Sequence, residues 1–95
     1  MRLRWTKLAS QDLDEIAEYI GQDSPPAAHR VVLELLELTE SALLTHPAAG
    51  RPGRLLGTRE LVIGHLPYIV AYRVREQDIE IVRVLHTSRR WPSDF

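Results

Sequence analysis

Leu3 and Trp5 alternate with Arg2 and Arg4, the two-residue period of a short strand with one buried face. The period then changes. Leu13, Ile16, Ala17 and Ile20 recur at helical spacing, and Asp12, Asp14, Glu15 and Glu18 fill the opposite side. The segment from about Lys7 to Gly21 therefore reads as an amphipathic helix with an acidic outer face. Thr6 supplies its N-cap and Gly21 its stop. Ser24-Pro25-Pro26 opens a second helix, with a serine cap followed by prolines in the first turn, where no amide hydrogen is needed. Its apolar stripe, Val32, Leu35, Leu36, Thr39 and Leu43, continues to about Thr45. Val31, Leu38 and Ala42 widen it enough to pack on both the first helix and a sheet. The connection from Gln22 to Ser24 is short, so the two helices form an antiparallel hairpin.

His46 to Arg54 carries two prolines and two glycines without periodicity and reads as a loop. Three strand-like runs follow, Thr58 to Ile63, Tyr68 to Val74 and Ile79 to Leu85. The breaks between them, Gly64 to Pro67 and Arg75 to Asp78, allow antiparallel hairpins but are too short for parallel crossovers. In the middle strand Tyr68, Val70, Tyr72 and Val74 share one face, and Ile69, Ala71 and Arg73 share the other. The predicted fold class is α+β: a short N-terminal strand, then an antiparallel two-helix hairpin packed on a C-terminal three-stranded antiparallel sheet.

A chain of 95 residues fits one domain, residues 1–95, and no second one. With 44% hydrophobic residues it is rich enough in apolar side chains to fold. Without cysteine there is no disulfide, thiolate metal site or thiol nucleophile. No apolar stretch is long enough to cross a membrane, and the N-terminus lacks a signal-peptide core, so the expected location is the cytoplasm. The net charge of −1 conceals an asymmetry: residues 1–47 carry −4 and residues 48–95 carry +3. Eleven of the twelve basic residues are arginine, whose planar fork of donors suits phosphate or carboxylate. An anionic partner would dock on the second half.

Several chemistries find no footing. The histidines, His29, His46, His65 and His86, show no metal-binding spacing, so neither a metal nor another cofactor is expected. Neither a phosphate-binding glycine loop nor a serine nucleophile elbow is present. Glu34, Glu37 and Glu40 read as a solvated helix face. What remains is a basic set on the sheet and its flanks: Arg51, Arg54, Arg59, Arg73, Arg83, Arg89 and Arg90, with His86 and Trp91. A metal-free ribonuclease could use such groups, arginine steadying a phosphate and histidine moving a proton. The plainer reading has these arginines solvated, or paired across strands with Glu60, Glu76 and Glu80.

Taken in order, five segments resemble the ParE/RelE toxins of bacterial type II toxin–antitoxin systems. Leu13-Asp14-Glu15-Ile16-Ala17-Glu18-Tyr19-Ile20 is similar to the first helix of that family. His46-Pro47 through Gly50-Arg51 resembles its loop after the second helix, and Gly57-Thr58-Arg59-Glu60-Leu61 its "R-E-L" strand. Pro67 to Val74 resembles the tyrosine-bearing middle strand. Ile79 to His86, followed by Arg89-Arg90-Trp91, resembles the last strand and tail. The resemblance implies a growth-inhibiting toxin neutralised by a small antitoxin. RelE-like members cleave mRNA on the ribosome, whereas ParE-like members poison DNA gyrase and are not nucleases.

Ile69 stands where RelE-like strands often carry arginine, and Glu60 and Val62 stand where a basic pair is expected. Arg90 roughly matches the C-terminal catalytic arginine, but no tyrosine follows it before Phe95. The resemblance thus implies ParE-like gyrase binding, with no catalytic residues preferred and a ParD-like ribbon-helix-helix antitoxin as partner. Its alternative is a RelE-like nuclease acting through Arg59, His86 and Arg90. The antitoxin is expected to lay an acidic amphipathic segment over the helices and sheet, covering part of the set Arg51, Arg54, Arg59, Arg73, Arg83, Arg89, Arg90 and Trp91.

Overall fold

The alternating N-terminus forms one border of the sheet. In the computed structural model, which describes residues 1–88 and Trp91, β1 (Arg2–Trp5) runs parallel to β5 (Asp78–His86), with Leu3 opposite Ile79 and Trp5 opposite Ile81. Between them in sequence come α1 (Lys7–Gly21), α2 (Pro25–Thr45), β2 (Arg51–Pro52), β3 (Arg59–Val62) and β4 (Tyr68–Arg75). The sheet has five strands in the order β1-β5-β4-β3-β2, and every pairing except β1–β5 is antiparallel.

This corrects the three-stranded antiparallel sheet expected from local pattern. β1 joins by pairing with residues 76 positions away, a partner no hairpin signal can reveal. β2 lies inside the segment read as loop. Its two residues pair with Glu60 and Arg59, and Pro52 is tolerated there because β2 is an edge strand.

Both helix starts follow from their caps. The Thr6 hydroxyl accepts from the Ala9 amide at 3.3 Å and donates to the Ile81 carbonyl at 2.8 Å, so one side chain ends β1, starts α1 and ties both to β5. The Ser24 hydroxyl accepts from the Ala27 amide at 3.2 Å, with Pro25 and Pro26 in the first turn of α2. The hairpin buries Ala9, Leu13, Leu35 and Leu43 against Tyr68, Val70, Tyr72, Ile79, Ile81 and Val84. The α2 stripe is narrower than its sequence suggests, because Leu38 is exposed.

A β-bulge explains how β5 serves this core. Ala71 pairs with Arg83 and Tyr72 with Ile81, which leaves Val82 as an extra residue. Simple alternation would send Ile79 and Ile81 to one face and Val84 to the other. The bulge resets the parity, and all three reach the helix-facing core. Ile69, Ala71, Val82 and Leu85 are also buried, but outside that cluster, as a second apolar layer of the sheet.

The Thr39 hydroxyl is buried in this core without a hydrogen-bond partner among the described residues. Replacing it by the isosteric valine removes a desolvated polar group at little cost in volume. Thr39→Val is expected to raise the unfolding free energy by about 1 kcal/mol, measurable by urea denaturation.

Candidate functional site

Most arginines of the sheet are gathered in three groups, centred on Glu60, Glu80 and Asp12. Glu60, on β3, is 3% exposed and sits at the centre of the first group. It accepts from the Arg51 guanidinium at 3.3 Å and the Arg54 backbone amide at 2.8 Å, with the Arg54 Nε at 3.5 Å. The Arg54 guanidinium lies 3.9 Å from the centre of the Trp91 ring, within cation–π range. Arg59, the residue before Glu60 in β3, turns to the loop and donates to the Gly50 carbonyl at 2.8 Å.

The same loop is clamped from β4. The Tyr72 hydroxyl donates to the Pro47 carbonyl and accepts from the Gly50 amide, both at 2.8 Å. The Pro47 to Arg51 loop, the "R-E-L" strand and the tyrosine-bearing strand are therefore parts of one interlocked structure. Position 50 needs glycine, since a Cβ there would stand 2.7 Å from a Tyr72 ring carbon. The turn that follows presents Leu56 fully exposed, with Gly57 at a positive φ of 81°.

Glu80, on β5, anchors the second group. Arg73 donates to it at 2.8 Å and Arg4 at 2.6 Å, and Arg75 lies 3.8 Å away. Beside it Asp78 takes Arg2 and Arg4, each at 3.5 Å. The hydrogen bond from Arg73, together with the positive charge of all three arginines, holds the Glu80 carboxyl below its ordinary range. A depressed carboxyl stabilises the fold at pH values above its unfolded pKa of about 4.3, and that contribution disappears as pH falls through the lower folded value. The thermal midpoint should therefore drop on acidification below about pH 4, and Glu80→Gln should flatten that part of the profile.

The third group corrects the sequence reading of α1. Asp12, assigned to the solvated face, is 4% exposed. It accepts from Arg83 Nε at 2.8 Å, Arg83 Nη2 at 3.0 Å and the Val84 amide at 2.8 Å. β1 pairs with β5 only as far as Ile81, and beyond that point Asp12 takes over as acceptor for the strand edge. The hydrogen bond from Arg83 to Asp12 holds its guanidinium still more firmly in the charged form.

The structure holds apart Arg59 and His86, two members of the expected nuclease trio. Arg59 lies opposite Tyr72 and His86 opposite Tyr68, four residues apart along β4, or about 13 Å at strand spacing. Arg59 is bonded to the loop, and His86 Nδ1 accepts from the Ser88 amide at 3.1 Å and lies 2.7 Å from the Ser88 hydroxyl. Arg89 and Arg90 lie outside the described residues. Of the other expected binding residues, Arg51, Arg54 and Trp91 cluster at Glu60, Arg73 joins Glu80, and Arg83 is drawn away to α1. Sequence reasoning missed Arg2, Arg4 and Arg75 as members of the basic surface. Their signal was the register of β1 on β5, with Arg2 opposite Asp78 and Arg4 opposite Glu80.

The helical hairpin on a five-stranded sheet is the fold of a toxin of a type II toxin–antitoxin system. The sequence pattern of the "ParE toxin of type II toxin-antitoxin system, parDE" family matches residues 3–91, and the chain belongs to that family. It is 48% identical to the Y4kP protein of Sinorhizobium fredii over 91 residues, 96% of this chain and 93% of that one. It is 41% identical to Toxin RelE2 of Caulobacter vibrioides over 85 residues, 90% of this chain and 93% of that one. A structure from the chromosomal ParDE system of P. aeruginosa superposes with a TM-score of 0.82 at 31% identity, covering 93% of this chain and 97% of the other.

Proposed function

We propose that this toxin arrests growth by binding DNA gyrase in the cytoplasm, without catalysis of its own, and that a cognate antitoxin of ParD-like, ribbon-helix-helix type neutralises it. One observation carries the reading: two of the three sheet positions at which the nuclease branch of the family is expected to keep basic groups are occupied here by buried structural residues, and the third by the aliphatic Val62. Ile69 is buried, and Glu60 is buried and bonded to Arg51 and Arg54. A buried isoleucine moves no proton and binds no phosphate, and a carboxylate already serving as an anchor would repel one. The likeness to a ParDE structure supports an antitoxin partner.

The second reading, a ribosome-dependent mRNA endonuclease, draws on the relative named Toxin RelE2. It requires Arg59, His86 and Arg90 to act together. Expression in a host lacking the antitoxin separates the two. Growth arrest with full-length transcripts supports gyrase binding, and arrest with transcripts cut at codon boundaries supports the nuclease.

The antitoxin's acidic segment would lie on the Glu60 and Glu80 arginine groups. Arg59 braces the loop from within, so the exposed Arg51 and Arg75 are better probes of that surface. Arg51→Glu with Arg75→Glu is expected to weaken the complex at least about tenfold at low salt, with the effect shrinking as salt rises.

A further inference from the structure

Charge is divided between the two layers of the fold. Residues 7–45, which hold both helices, carry eight carboxylates and two basic side chains, a charge of −6. The remaining residues carry ten arginines and five carboxylates, a charge of +5. The net charge of −1 therefore hides a strong dipole, with the sheet at its positive end.

That end has an ordered surface. Leu3, Trp5, Tyr72, Ile79 and Ile81 turn toward the helices, so the residues that alternate with them share the opposite face of the sheet. The register aligns these across β1, β5 and β4 in two rows, Arg2-Asp78-Arg75 and Arg4-Glu80-Arg73. At the backbone the rows stand about 7 Å apart, and the two arginines of each row about 10 Å apart.

In each row the acid lies low and the arginines rise above it. Asp78 and Glu80 are 25% and 12% exposed, against 79% for Arg2, 55% for Arg4 and 62% for Arg75. The carboxylates hold the guanidiniums in place without exhausting their donors. Arg2 and Arg73 donate only through Nε, and Arg75, 3.8 Å from Glu80, donates no hydrogen bond among the described residues. Four arginines over two acids leave this end of the sheet positive even when Glu76, in the adjoining turn, is counted.

The pattern selects the guest. A small anion reaches one row at most, whereas a rigid polyanion with closely repeated charges meets both at once. The planar fork of arginine matches phosphate oxygens. No exposed aromatic ring lies among the described residues of this face, so unpaired bases would find nothing to stack on. We propose that the two rows bind the phosphate backbone of double-stranded DNA without reading its sequence. The contact deepens the gyrase reading, since gyrase acts on DNA, and the acidic segment of the antitoxin would compete for the same arginines.

The test is a titration of a short labelled duplex with the full-length toxin, followed by fluorescence anisotropy over a range of salt. It contains neither gyrase nor antitoxin, so this proposal and the gyrase reading can fail separately. Log affinity should fall against log salt with a slope of about −3, one unit for each of Arg2, Arg4 and Arg75, and should not depend on duplex sequence. Arg2→Gln with Arg75→Gln should reduce the slope to about −1 and weaken binding at low salt by more than about tenfold. The thermal midpoint should stay close to that of the unaltered toxin, because both side chains are exposed and neither makes an ion contact closer than 3.5 Å. Lys7→Gln with Arg30→Gln removes the same charge from the exposed helix surface and should leave binding unchanged. Equal losses from the two pairs, or no binding at low salt, would overturn the proposal. Tighter binding of single-stranded DNA, or displacement of the duplex by poly-glutamate at equal charge concentration, would overturn it as well.

Discussion

Asp12→Ala is expected to lower the unfolding free energy by about 3–5 kcal/mol, because it strands Arg83 without its buried partner. The carboxylate is 4% exposed and accepts three hydrogen bonds, two from the Arg83 guanidinium and one from the Val84 amide. Alanine would leave a largely buried cation and a strand-edge amide without acceptors at the point where β1 stops pairing with β5. Asp12→Asn retains one oxygen acceptor and the side-chain shape, so its loss should be distinctly smaller. Urea denaturation of the two variants gives the comparison. A loss below about 1 kcal/mol for the alanine variant would mean that this contact behaves as an ordinary surface ion pair.

Gly50→Ala is expected to cost about 1–3 kcal/mol, from overpacking in a place where neither neighbour can easily retreat. The new Cβ would lie 2.7 Å from Tyr72 Cε1, 2.8 Å from its hydroxyl oxygen and 3.0 Å from the backbone oxygen of Glu60. Tyr72 is itself fully buried and fixed by its bonds to Pro47 and Gly50. Tyr72→Phe should cost about 2 kcal/mol, because it removes one hydroxyl that serves two backbone groups. The two losses should not add. Without the hydroxyl the Cβ has one close contact fewer, so the double variant should be more stable than the sum of the single changes implies. Additive losses would show that glycine and tyrosine act independently.

The helical hairpin was legible because its signals are local. Thr6, Ser24 and Pro25-Pro26 act within one turn of where they stand, and α1 and α2 begin where those residues place them. The three C-terminal strands were legible for the same reason, each within one residue of its expected bounds. What the local pattern did not carry is non-local. The parallel seat of β1, the two-residue β2 and the bulge at Val82 all depend on a partner strand rather than on a period.

The site divides along the same line. Arg51, Arg54 and Arg73 could be picked out as a basic surface by clustering, and their pairing with Glu60 and Glu80 was the plainer of two readings. The helical period alone placed Asp12 in solvent. Only the end of β1 at Trp5, which leaves the Val84 amide unmatched by a strand, explains why α1 keeps an acid there.

Gyrase binding without nuclease activity is the function proposed for this member of the ParE family. The most direct measurement adds the purified toxin to DNA gyrase with relaxed plasmid and ATP, with and without the antitoxin. The expected result is lost supercoiling or accumulated linear DNA, reversed by the antitoxin, at toxin concentrations that leave mRNA on translating ribosomes intact. Unimpaired supercoiling together with mRNA cut at codon boundaries would contradict it.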